Sequence, residues 1–180
     1  YDAENPFVII NTHLVEKIDL NGVKTWEDNN NQDGIRPDFI TVRLYADGVE
    51  VANKEVTKND NWTYNFTNLD KFNNGKEIKY TVSEDAIDGY TTTINGFNII
   101  NKHEIEKIDV SGTKTWEDNN NQDGIRPDFI TIKLYANRIL VDTKEVRAKD
   151  NWKYSFTNLD KYKDGSLISY TISEDTIDGY

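Results

Sequence analysis

The chain contains no cysteine, so it can form neither a disulfide nor a thiolate metal site, although that alone does not fix its compartment. Its apolar runs are short, Phe7 to Ile10 being typical. No segment is long and apolar enough to cross a bilayer as a helix, and no signal-peptide pattern opens the chain, which reads as a piece of something longer. Basic residues are in the minority, with 21 Lys and Arg against 32 Asp and Glu and a formal charge of -11. That balance argues against nucleic acid or an anionic membrane surface as the main partner and fits a soluble, self-repelling surface. No segment carries a sustained helical period.

What the chain has in abundance is itself. The eighteen residues from Lys24 to Thr41 return unchanged from Lys114 to Thr131, and a gapless alignment of 17–90 with 107–180 gives 50 identities in 74 positions. A period of ninety in 180 residues makes two small domains rather than one large one. Domains of that size hide only about 60 to 65% of their unfolded surface and often need a covalent or metal staple. We expect an orphan last strand and linker over 1–13, a first domain over 14–103, and a second over 104–180 that lacks its own last strand. The phase of the repeat is the reason: Phe97–Asn101 matches Phe7–Asn11 at an offset of ninety, and nothing after Tyr180 supplies a third copy.

Strand signals dominate. Phe39 to Ala46, Trp62 to Phe66 and Ile78 to Glu84 alternate polar with apolar, are rich in β-branched and aromatic residues, and are separated by Asn, Asp and Gly clusters. Asp47-Gly48 and Asn95-Gly96 read as hairpin turns, the latter as a type I′ turn joining Tyr90–Ile94 to Phe97–Asn101. Repeat two replaces Asp47-Gly48 with Asn137-Arg138, which predicts a changed turn geometry with the register kept. About seven strands per repeat imply a sandwich.

Period two places one unusual set of residues together. On the first strand Ile18, Leu20, Gly22, Lys24 and Trp26 share a face, on a late strand Ile78, Tyr80, Val82 and Glu84, and on the closing strand Phe97, Ile99 and Asn101. A lysine, a glutamate and an asparagine thus fall on apolar faces. An apolar setting favours the neutral form of both an amine and a carboxyl group, and a neutral amine is a nucleophile. With Glu84 protonated and polarising the amide carbonyl of Asn101, Lys24 can attack and expel ammonia, leaving an amide cross-link that supplies the missing staple. The alternative is a buried Lys-Glu pair hydrogen-bonded by the asparagine, or strand-end side chains that reach water. Repeat two keeps Lys114 and Glu174 without a third member.

The motifs Val23-Lys-Thr-Trp26, Asn31-Gln-Asp-Gly-Ile-Arg-Pro37, Leu44-Tyr-Ala-Asp-Gly48, Asn61-Trp62, Phe66-Thr-Asn-Leu69, Tyr80-Thr-Val-Ser-Glu84, Gly89-Tyr90 and Ile99-Ile-Asn101 resemble the collagen-adhesin B-type (CnaB) repeats of Gram-positive surface proteins. The resemblance covers nearly the whole chain, twice. It implies an all-β fold of tandem inverse immunoglobulin-like β-sandwich domains that act as a stalk, holding an adhesive head away from the cell wall. It also implies an autocatalytic isopeptide bond between Lys24 and Asn101, assisted by Glu84. Neighbouring repeats of the same surface protein are then the natural partners, no cofactor is involved, and the chain is not a turnover enzyme.

Copy two departs from this pattern. Lys114 and Glu174 form a half-site, and Asn11 offers a completing strand, which points to head-to-tail association through residues 7–11; the alternative is that residues 1–13 belong to a truncated or cleaved neighbour and stay disordered. The remaining signals are weaker. Asp28 to Gly34 is oxygen-rich, but in EF-hand register Ile40 stands where a bidentate glutamate is needed, so a hydrogen-bonded turn is expected and no metal. His13 and His103 have no serine or cysteine partner and read as junction residues. A ligand-binding adhesin domain, using an exposed sheet face or the 27–38 loop to recognise matrix protein or sugar, is the competing functional reading.

Overall fold

A computed structural model describes residues 9–180. The described residues resolve into two compact units, one of 9–26 with 37–102, the other of 27–36 with 103–180. Unit one is built from β1 (Lys17–Glu27), β2 (Phe39–Ala46), β3 (Val49–Thr57), β4 (Thr63–Asp70), β5 (Phe72–Asn73), β6 (Lys76–Glu77), β7 (Tyr80–Glu84), β8 (Thr91–Asn95) and β9 (Asn98–Lys102). Two sheets carry the fold, ordered β4-β1-β9-β8 and β3-β2-β7, with β5 and β6 forming a small hairpin. This is the sandwich that the strand spacing predicts.

The alternation along β1 is as expected, with Leu20, Gly22, Lys24 and Trp26 turned inward and their neighbours exposed. Between the sheets lie Ile40, Val42, Leu44, Val56, Tyr64, Phe66, Val82 and Ile99, all buried. Burying such side chains at about 1.5 to 3 kcal/mol each is the main force holding a domain of this size together. β1 pairs antiparallel with β4 and bulges between Ile18 and Leu20. The Asp19 carboxylate accepts the Asn68 N–H at 2.8 Å there, serving a backbone group that the bulge takes out of the ladder. On its other side β1 runs parallel to β9, its sheet neighbour: the Val23 N–H donates to Asn98 Oδ1, and four residues on the His103 N–H donates to the Glu27 carbonyl.

Two turns differ from the sequence expectation. Asn95 pairs with Asn98, so the β8–β9 loop is Gly96-Phe97 and not Asn95-Gly96. Gly96 has φ 60° and neither Asn95 nor Phe97 a positive value, the mark of a type II′ turn rather than type I′. In repeat two the Asn137-Arg138 turn keeps the geometry of Asp47-Gly48, since all four residues have positive φ. The strand ends also shift by a residue or two: Trp62 precedes β4 with φ 56°, and Ile78 precedes β7.

Unit two repeats the plan with β10 (Lys107–Thr113), β11 (Phe129–Ala136), β12 (Ile139–Arg147), β13 (Lys153–Asp160), β14 (Tyr162–Lys163), β15 (Ser166–Leu167) and β16 (Tyr170–Glu174). The β12-β11-β16 sheet matches its counterpart register for register. The other sheet is only β10-β13, and β10 stops at Thr113, so Lys114 and Trp116 lie just beyond the strand on which the sequence places them. Ile172 is 44% exposed where Val82 is 8% exposed.

Candidate functional site

Gly22 sets the floor of the site. A Cβ at that position would overlap the Tyr64 ring and the Phe97 carbonyl oxygen, so only glycine lets β4, β1 and the β8–β9 turn approach as they do. The Tyr64 hydroxyl donates to that Phe97 carbonyl. Burial, with a smaller push from the Glu84 charge, raises the Tyr64 phenol to about 12, which keeps it a neutral donor.

Two residues further along β1, Lys24 enters the core. Its backbone N–H donates to the Trp62 carbonyl at 2.8 Å, which fixes the strand, and its ammonium lies 4.5 Å from the centre of the Trp26 ring. Lys24 Nζ is 2.7 Å from Glu84 Oε1, and both side chains are 0% exposed. The separation is that of an ion pair, but the approach angle is poor, and neither atom completes a hydrogen bond. Lys24 belongs to the β4-β1-β9-β8 sheet and Glu84, paired with Val42, to the other, so the contact spans the sandwich. Desolvation draws the Lys24 amine down to about 8, against the opposing pull of Glu84.

Asn101 lies on β9, the strand beside β1, and is completely buried on the same face as Ile99. Neither atom of its side-chain amide has a hydrogen-bond partner. Leaving a buried amide unsatisfied costs about 1 to 3 kcal/mol, and buried orphans are rare enough to require a reason. An amine drawn toward its neutral form, a carboxyl group against it and an amide without a hydrogen-bond partner are the group types that an acyl transfer requires.

A residue outside the sequence reading completes the arrangement. Thr92 pairs with Asn101 across the β8–β9 hairpin, and its hydroxyl donates to Glu84 Oε2 at 3.1 Å. Placing the turn at Asn95-Gly96 hides it, because that register sets Tyr90 opposite Asn101 instead.

In unit two, Lys114 Nζ donates to Glu174 Oε2 at 2.8 Å, with side chains 21% and 28% exposed. Asn11 is exposed and outside any strand, as are Ile9 and Ile10; Phe7 and Val8, the start of the expected strand, lie outside the described residues.

The oxygen-rich loop is a hydrogen-bonded turn. Asp28 accepts the Asn31 N–H at 2.9 Å and both arms of the Arg36 guanidinium, while Asn31 Oδ1 accepts the Arg36 N–H at 2.9 Å. Asp118 repeats this with Arg126, whose hydrogen bonds hold the carboxyl well below the usual carboxylate range. Among the described residues no group of three acidic, His or Cys side chains could hold a metal. His103 Nε2 lies 2.8 Å from Asp33 Oδ2, which also accepts the Glu106 N–H, so this histidine is engaged in shaping a turn.

The model of the Cna protein B-type domain matches residues 20–102 and again 110–180. This chain belongs to the Cna protein B-type domain family. Each B-type domain thus recurs at the repeat period. Over 98% of its length the chain is 41% identical to a collagen adhesin of Staphylococcus aureus, of which it spans 15%. The crystal structure of two B repeat units of the collagen-binding protein of the same organism covers 92% of the chain, at 41% identity and a TM-score of 0.50, with 45% of that structure matched. A single B repeat unit from that protein covers 92% of the chain and is itself 89% covered, at 41% identity and a TM-score of 0.49. The tandem, all-β, immunoglobulin-like reading of these B-type domains stands.

Proposed function

We propose that the chain is a structural spacer in the stalk of a cell-wall-anchored bacterial surface adhesin, with an isopeptide bond between Lys24 and Asn101. The observation that carries this reading is the buried trio: an amine drawn down to about 8, a carboxyl group 2.7 Å from it, and a fully buried amide with no hydrogen-bond partner on the adjacent strand. Neutral Lys24 attacks the Asn101 side-chain carbonyl carbon. Glu84 gives its proton toward the amide and takes one from the attacking nitrogen, so the C–Nδ2 bond breaks, ammonia leaves and Glu84 ends as it began. The event happens once per site, so the role is structural and not one of turnover.

The relative named collagen adhesin supports an extracellular surface location, and the tandem units support neighbouring repeats as the partners. We take 14–103 and 104–180 as the repeats, with 1–13 as the end of a preceding one. Joining residues about eighty positions apart removes about 4 kcal/mol of unfolded-state entropy on the chain-entropy model. Tension entering through β1 and leaving through β9 passes through the bond and bypasses the hydrophobic core. Lys114, held against Glu174 in unit two, is a half-site that residues 7–11 of another molecule can serve head to tail, with Asn11 as the bonding residue. A ligand-binding role draws less support: the exposed Phe39 recurs as Phe129, and Phe72, exposed where its counterpart Tyr162 is half-buried, is one ring rather than a patch.

High-resolution intact mass of the denatured chain tests the reading. The expected result is the loss of one ammonia, abolished by Glu84→Ala. The plain sequence mass in the unaltered chain would overturn it and leave Lys24 and Glu84 as a buried ion pair. A dimer on a denaturing gel is expected if Asn11 bonds Lys114 of a neighbour, and a monomer band alone removes that covalent version.

A further inference from the structure

The two copies hold the same lysine-glutamate pair in different ways. In unit two, Glu174 meets Lys114 in an ordinary hydrogen bond at 2.8 Å. In unit one, the Glu84 carboxyl has a second ligand, the Thr92 hydroxyl at 3.1 Å on Oε2, and its other oxygen lies 2.7 Å from Lys24 Nζ without a hydrogen bond's angle. Thr92 reaches this point because it is the cross-strand partner of Asn101, and paired residues on neighbouring strands project from the same sheet face. It is an exposed residue touching a carboxyl group whose side chain is 0% exposed.

We propose that Thr92 is a positioning residue for the cross-linking reaction: by donating its hydroxyl hydrogen to Glu84 Oε2, it makes Oε1 the oxygen that exchanges protons with Lys24 and Asn101. A carboxylic acid carries its proton on one oxygen, and an oxygen already accepting a hydroxyl hydrogen is the poorer place for it. With Oε2 engaged, the proton resides on Oε1, facing the amine. From there it passes toward the departing amide nitrogen, and the vacated Oε1 takes the proton that Lys24 releases when the new C–N bond forms, so no outside acid or base is needed. Thr92 touches neither reacting atom. It acts by fixing the rotation of the group that does.

This inference rests on the isopeptide reading, and the experiment separates the two. The full chain is made by cell-free synthesis, quenched in acid at intervals and weighed by intact mass, as wild type, Thr92→Val and Thr92→Ser. Valine keeps the shape and β-branching without the hydroxyl, whereas serine keeps the hydroxyl without the methyl. We expect ammonia loss about tenfold slower in T92V, equivalent to about 1.4 kcal/mol in the barrier, and within about threefold of wild type in T92S. In a Lys24→Ala background, where no bond can form, T92V should lower the thermal unfolding midpoint only by what one lost hydrogen bond costs and leave the chain folded, so that slow bonding in T92V is not a folding failure. Bond formation in T92V at the wild-type rate overturns the proposal, as does a T92S chain as slow as T92V, since the methyl group or strand packing would then be what matters. Wild-type chain that never loses ammonia overturns the isopeptide reading itself.

Discussion

Lys24 is where one side chain's surroundings decide its chemistry. Its folded value of about 8 lies below the ordinary 10.5, so between those values the unfolded chain binds more protons than the folded one, and stability must rise with pH. In an Asn101→Ala chain, which keeps the Lys24–Glu84 pair but cannot cross-link, denaturant titration should show unfolding free energy rising by about 2 kcal/mol from pH 7 to pH 9.5. A flat profile would mean that the pair stays charged. Lys24, Glu84 and Asn101 are legible in the sequence because a charged or amide side chain breaks an apolar period-two face, which is visible without coordinates. Thr92 is not, because threonine is unremarkable on a strand and its position opposite Asn101 depends on a turn whose displacement by one residue changes the cross-strand partner by two.

Elements show how much local backbone chemistry tolerates. The β2–β3 and β11–β12 hairpins have the same register, although Arg138 sits at φ 69° where the first copy has Gly48 at φ 85°. A non-glycine residue there costs about 1 to 2 kcal/mol, part of which glycine returns through the freedom of its unfolded chain. Arg138→Gly should therefore stabilise unit two by about 0.5 to 1 kcal/mol, measured by chemical denaturation. The sequence suggests a changed turn because Arg is not a turn residue; the strands on either side outweigh that preference. Gly22 and Gly112 make the complementary comparison. Gly22→Ala meets the Phe97 backbone as well as the Tyr64 ring and should destabilise unit one by about 2 to 3 kcal/mol, whereas Gly112→Ala meets only the Tyr154 side chain, which can turn away, and should cost less. Separate thermal transitions for the two units would read both effects. The β1 bulge and the β5–β6 hairpin escape sequence reading because they are set by which residues the neighbouring strand can reach, not by a periodic signal.

At the scale of the whole molecule, two copies identical at 50 of 74 aligned positions bury the same lysine-glutamate pair to different depths. Lys114 and Glu174 are about a quarter exposed where Lys24 and Glu84 are sealed, and the β10 sheet has two strands where the β1 sheet has four. The family and sandwich architecture are legible from motif spacing alone, but the looser burial of unit two is not, since it appears as partial exposure spread over many residues. With Lys24 and Asn101 joined as proposed, a protease cut in any loop between them should leave unit one covalently continuous, because the proposed bond bridges the cut. Limited proteolysis should give fragments that stay together on a denaturing gel in the wild type and separate in Glu84→Ala. A final consequence comes from β1 and β9 running in the same direction. Strands that close a domain by pairing antiparallel bring the chain out beside the point where it entered. Here the path goes in at one pole and leaves at the other, along a first strand of eleven residues, or about 35 Å. A module with that property holds its entry and exit a full strand's length apart, so its two ends cannot be brought together without breaking the sheet that joins β1 to β9.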